Sequence, residues 1–164
     1  MELVTLERLK EVLHYNPDTG VFTWRKTFSH AVEGEVAGYD AGRGYWIIQI
    51  DNRRYRAHRL AWLYMMGAWP RELVDHKNLD RSDNRFENLR EASHQQNRVN
   101  SRAHRNSRWG IKGVHFRARD RVWVAKITVN GRSKYLGQFD TAEAANAAYQ
   151  DAAVRFHGEY ARAK

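Results

Sequence analysis

The sequence predicts an α+β protein in two parts. An N-terminal helix and hairpins lead to a polar strand–turn–helix stretch, and a small three-stranded antiparallel sheet packed on one helix comes after it. Three observations carry this. Short runs alternate with period two between turn-forming residues such as Asn52 and Asn130-Gly131. One alanine-rich stretch near the C-terminus has helical spacing. Between the parts lies "NSRAHRNSRWG", Asn100–Gly110, with the texture of a linker.

"LERLKEVL" has Leu6, Leu9, Val12 and Leu13 on one side, which predicts a short amphipathic helix. "NPDTG" then turns the chain into the strand "VFTW", Pro17 and Gly20 supplying the turn chemistry. "GYWIIQIDNRRYRAHRL" predicts a hairpin with strands Tyr45–Ile50 and Tyr55–His58 around Asp51-Asn52. A helix over Leu60–Met66 should follow and stop at Gly67. "ELVDH" reads as a strand, and "NLREAS" leads into a helix with Ser93 and Gln96 as its capping box. Beyond the linker come three strands, "GVHFRARD", "RVWVAKITVN" and "SKYLGQFD". Asn130-Gly131 is a type I′ hairpin signal. "DTAEAANAAYQDAAVRFHG" is the last helix, with Asp140 and Glu143 as a capping box and Gly158 as its stop.

Composition narrows the function. The chain has 164 residues and no cysteine, which excludes disulfides and thiolate zinc sites. No signal-peptide pattern opens it, and its longest apolar stretch, Leu60–Trp69, is too short for a bilayer. A soluble, cytoplasmic protein that is not secreted is expected. Net charge is +9, and Arg98–Lys134 alone holds eleven Lys/Arg against one acid, Asp120. A basic block that carries all the net charge, interleaved with aromatic and β-branched residues, points to double-stranded DNA as partner.

"LVDHKNLDRSDNRFENLREASHQQN", Leu73–Asn97, gathers two histidines, four asparagines and three aspartates. Phosphodiester hydrolysis needs an activated water, charge neutralisation at the phosphate and help for the leaving oxygen. A hard divalent cation supplies the last two, and a neutral His with a pKa of about 6.5 supplies the first. Asp75 and His76 are consecutive strand residues, so their side chains point to opposite faces. Asn78, Asp80, Asp83 and Asn84 read as turn formers.

This stretch resembles the HNH nuclease motif found in phage and intron-associated homing endonucleases, whose fold is the ββα-metal element. "HRLAW" at His58–Trp62 and "YNPDTGVFTWR" also look like that group. The resemblance implies Asp75 and Asn97 as ligands of one divalent ion, Mg²⁺ by preference. It implies His76 as general base and Asn88 as the residue that orients the His-bearing loop. The last position is Asn rather than His, and His94, three residues earlier, competes for it. His58 is a weaker candidate. No small-molecule cofactor and no membrane partner are implied.

In the C-terminal strands, Val114, Phe116, Trp123, Ala125, Ile127 and Val129 fall on an apolar face. His115, Arg117, Arg119, Lys126 and Thr128 fall on the other, which suits a sheet lying in a DNA groove. The segment from Gly110 onward resembles the AP2 DNA-binding domain, most strongly over "YLGQFDTAEAANAAY". That implicates Lys112, His115, Arg117, Lys126, Thr128 and Tyr135 in base contacts and Arg119 and Arg132 in phosphate contacts. Trp123, Phe139 and Phe156 read as core.

The expected organisation is a nuclease part over residues 1–100 (core about 55–100), a basic linker over 101–110 and a DNA-binding part over 111–164. The expected activity is site-preferring DNA cleavage, by nicking or through a homodimer on DNA, in a homing role. The rivals are a DNA-binding protein without catalysis and a restriction or defence nuclease.

Overall fold

The computed structural model describes residues 3–28, 31–42, 44–101 and 109–161. Most of the basic linker, 102–108, lies outside them. The chain divides into two compact units, Met1–His94 and Gln95–Lys164, so the division falls inside the helix that the sequence reading kept with the nuclease part.

In the first unit, α1 (Leu6–Val12) opens at Thr5, whose hydroxyl accepts a hydrogen bond from Arg8 N–H. Leu9, Val12 and Leu13 are fully buried, as an i, i+3, i+4 stripe requires. β1 (Leu13–Tyr15) pairs antiparallel with β2 (Phe22–Trp24). Asn16 Oδ1 holds their turn by accepting from Asp18 and Thr19 N–H. β3 (Tyr39–Asp40), β4 (Trp46–Ile50) and β5 (Arg53–Arg56) form a three-stranded antiparallel sheet in that order. The turn between β4 and β5 places both Asp51 and Asn52 at positive φ, the backbone of a type I′ hairpin.

α2 (Ala57–Met66) ends at Gly67, whose φ of 76° closes the helix by N–H donation to Leu63 O. It starts three residues earlier than the sequence suggested, and β5 ends two residues short of His58. The cause is burial: Ala57, Leu60, Ala61 and Leu63 form one continuous apolar stripe, so the helix extends to include Ala57. His58 therefore sits in a helical first turn.

β6 (Leu73–His76) and β7 (Leu89–Ala92) make a two-stranded antiparallel hairpin, closed by a 3₁₀ turn at Phe86–Asn88. "NLREA", expected as an approach to a helix, is therefore mostly strand. α3 (His94–Asn100) follows.

The second unit holds β8 (Val114–Arg117), β9 (Val122–Val129) and β10 (Arg132–Phe139), in the order β10-β9-β8. α4 (Ala142–His157) covers one face. Val114, Ala125 and Ile127 pack against Ala145, Tyr149, Ala152 and Ala153. Small residues let helix and sheet approach closely. A Cβ on Gly113 would collide with the Tyr149 ring, and the residue's φ is +71°.

Two expectations are corrected here. α4 is capped by Thr141, whose hydroxyl accepts from Ala144 N–H, one residue later than the Asp140 box. Phe156 is 37% exposed rather than core, and Lys134 Nζ lies 4.5 Å from its ring centroid. Trp123 and Phe139 do pack against the core. Among the described residues, no helix is long and apolar enough to cross a membrane.

Candidate active site

The β6–β7 hairpin fixes Asp75 and His76 by register. Asp75 lies opposite Arg90 and His76 opposite Leu89. Both side chains are buried. Arg90 donates to Asp75 Oδ2 from Nη2 at 3.1 Å and from Nε at 3.3 Å, a buried ion pair with both partners under 10% exposed. On the opposite face, the His76 ring meets the His58 ring edge-on, centroids 4.9 Å apart.

The connection between the strands holds His76 from the other side. Asn84 Nδ2 donates to Ser82 O at 3.2 Å, so its amide oxygen faces His76 Nε2 at 3.3 Å. An amide oxygen only accepts, so His76 Nε2 carries the hydrogen and the basic lone pair of the neutral ring resides on Nδ1. Asn88 staples the same connection. Its Oδ1 accepts from Asn78 N–H at 3.0 Å and its Nδ2 donates to Asp83 O at 2.8 Å. Asp83 is bound by Arg85 and Asn78, which hold its carboxyl down at about 2. The N-terminal hairpin supports this loop: Tyr15 Oη donates to Asn84 O at 2.7 Å, and Phe86 N–H donates to Pro17 O.

Electrostatics keep both imidazoles neutral. Burial lowers the His76 pKa, against the opposing hydrogen bond that the ring makes to Asn84 Oδ1. Burial first, then the charges of His76, Arg56 and Arg59, push His58 down to about 3 from 6.5. A folded pKa below the unfolded value means the unfolded chain binds the extra proton first. Stability is therefore complete above about pH 6.5 and is lost progressively as pH falls from there towards 3. The denaturant midpoint should fall between pH 7.5 and pH 5, and His58→Phe should flatten that dependence. A His58→Phe protein as pH-sensitive as the wild type would contradict this.

The structure thus places His58 in ring contact with His76, sets Asn88 in the connection that also carries Asn84, and turns Asp75 to Arg90 on the opposite face of β6. Asn97 is half-buried in α3 and His94 is exposed at the start of that helix. Arg90 and Asn84 are the residues that sequence reasoning missed. Pairing β6 against β7 would have found Arg90, since the register sets it opposite Asp75.

In the second unit, register puts His115, Arg117, Lys126, Thr128 and Tyr135 on the sheet face away from α4. His115, Lys126, Thr128 and Tyr135 are exposed, while Val124 on that face is buried. Arg117 Nε lies 2.6 Å from Asp120 Oδ2, an ionic contact that makes no hydrogen bond. Arg119 is exposed in the turn between β8 and β9. Arg132 pairs with Val129, so it projects towards the other face at the tip of the hairpin. Lys112 is engaged elsewhere: its Nζ donates to the carbonyls of Arg98, Val99 and Ser101 at the end of α3.

Residues 55–99 match a family model described as HNH endonuclease. It covers α2, the β6–β7 hairpin and most of α3. Among solved structures, the chain is similar to that of "DNA binding and cleavage by the HNH homing endonuclease I-HmuI", with 16% sequence identity, 96% of this chain and 91% of that chain covered, and a TM-score of 0.45.

Proposed function

We propose that the protein is a DNA endonuclease in which His76 is the general base. The observation that carries this is the buried neutral imidazole on β6, its Nε2–H held by Asn84 and its loop stapled by Asn88, inside the HNH-matching segment. A neutral imidazole with its lone pair on Nδ1 takes a proton from water near neutral pH. Asn88 keeps the loop closed, and His58 packs the imidazole in place without competing for the proton.

Asp75 and Asn97 are the proposed metal ligands. Among the described residues, no group of three or more His, Cys, Asp and Glu side chains gathers to hold a metal. One carboxylate and one amide oxygen leave the remaining positions to water and phosphate, which is how Mg²⁺ is usually bound. A divalent ion held by Asp75 and Asn97 would supply charge neutralisation at the phosphate and at the leaving oxygen.

The second unit is the proposed DNA anchor, AP2-like in its sheet and helix, with Lys126, Thr128, Tyr135 and His115 presented to a groove. Lys112, tied to the end of α3, is the weakest member of that set. Lys126→Gln should weaken DNA binding and lower the slope of log K against log salt by about 0.9. An unchanged slope would remove Lys126 from the phosphate contacts. A homing role, with nicking or cleavage by a pair of copies, completes the proposal. Sequencing the ends produced from a random-target library tests it. Ends clustered at one sequence support site-preferring cleavage, and evenly scattered ends exclude it.

A further inference from the structure

Two guanidiniums share one aromatic ring beside the histidine pair. Arg56 Cζ lies 4.5 Å and Arg81 Cζ 4.8 Å from the Tyr45 centroid. The Tyr45 ring is 5.6 Å from that of His58, which in turn meets His76 at 4.9 Å. Three separate segments build this arrangement: the approach to β4, the end of β5, and the connection between β6 and β7. Gly44, at φ +80°, adopts without strain the turn that leads into Tyr45, and a Cβ there would be in ordinary contact with Arg81 Cβ at 3.4 Å.

Attraction to the ring's electron-rich face accounts for each cation taken singly. It does not account for two like charges gathered on one ring, an arrangement that works against their mutual repulsion. A phosphate anion brought to them offsets that repulsion. Arg56 also occupies the N-cap position of α2, whose first turn has no acidic residue, so the helix dipole adds potential of the same sign. Among the described residues, Arg56 makes no ion pair with a carboxylate. Its charge reaches the site, being one of the causes that hold the His58 pKa low.

We propose that Arg56 and Arg81, seated on Tyr45, form a clamp that grips a backbone phosphodiester of the DNA strand presented to His76. The clamp rests on the nuclease reading of this same site. Guanidinium offers a planar fork of donors that matches phosphate oxygens. Tyr45 holds both forks in place before DNA arrives, which lowers the ordering cost of binding. Both arginines are positioning residues: they fix how the strand lies, and the proton transfer stays with His76.

The test is binding of the full chain to a short mixed-sequence DNA duplex, without divalent ions, across a salt series. Each lost phosphate contact lowers the slope of log K against log salt by about 0.9. The Arg56→Gln/Arg81→Gln double variant should therefore lose about twice that, and each single variant about half of the double's loss. Arg56→Lys should restore the slope, Tyr45→Phe should keep it, and Tyr45→Leu should lose part of it. Lys10→Gln removes a cation lying 5.1 Å over the Tyr64 ring and should leave the slope unchanged. A double variant with the wild-type slope, or one whose loss Lys10→Gln reproduces, overturns the clamp. Cleavage with Mg²⁺ is read separately. If the wild type fails to cut while the double variant still loses slope, the nuclease reading fails and the clamp stands. If cutting depends on His76 but the double variant binds and cuts as the wild type does, the clamp fails and the nuclease reading stands.

Discussion

His76→Ala should lower the rate of DNA cleavage by about 10²–10⁴-fold, the usual contribution of a positioned general base, the role proposed for His76. DNA affinity, measured without divalent ions, should stay near the wild-type value, because the substitution leaves the cations proposed to bind DNA untouched. The side chain is 4% exposed and borders His58 and Asn84, so the substitution leaves a small cavity. His76→Gln keeps more of the volume and serves as the control for folding: it should be as inactive as the alanine variant with a smaller loss of stability. A His76→Ala protein that folds but no longer binds DNA would place His76 in substrate binding and remove it as the base.

Arg90→Met should destabilise the first unit by about 3–5 kcal/mol, the cost of leaving a buried carboxylate without its cation. Asp75 and Arg90 face each other across the β6–β7 pair at 3.1 Å, with 6% and 9% of their side chains exposed. Removing both charges should recover most of the loss, since apolar pairs of similar size are tolerated where buried ion pairs stood. Asp75→Leu/Arg90→Met is therefore expected to be far more stable than Arg90→Met in urea, although it has lost a proposed metal ligand. If the single variant lost under about 1 kcal/mol, the ion pair would be a solvated surface contact in solution.

The local chemistry of this fold was legible where the pattern and turn residues agreed. Asn130-Gly131 and Asp51-Asn52 marked two hairpins, both with positive φ at the turn. The alternation around Lys126 sorted the faces of β9, and Gly67 marked the end of α2. Boundaries failed where burial overrode local signals. His58 read as the end of a strand because "YRAH" alternates, but burial of Ala57 along the α2 stripe draws it into the helix. Phe156 read as core from its type alone, yet it lies at the exposed end of α4 beneath Lys134.

The site itself was half legible. Asp75, His76 and Asn88 stand out as residue types at suggestive spacing, and Asn88 bonds across the connection to Asn78 N–H and Asp83 O. Asn84 was read as a turn former. It is one, but its amide also sets which nitrogen of His76 carries the proton, and that depends on an orientation fixed by Ser82 O. Arg90 and the Tyr45 pair were hidden for a related reason. Their meaning comes from cross-strand register and from three segments converging, neither of which a linear pattern displays.

The most direct test of the central claim is conversion of supercoiled plasmid by the purified full chain in the presence of Mg²⁺. The wild type should produce nicked or linear DNA, and His76→Ala, at the same concentration and with the same DNA affinity, should leave the plasmid supercoiled. Intact plasmid with the wild-type protein under every divalent ion tried, or cutting by His76→Ala at the wild-type rate, would contradict it.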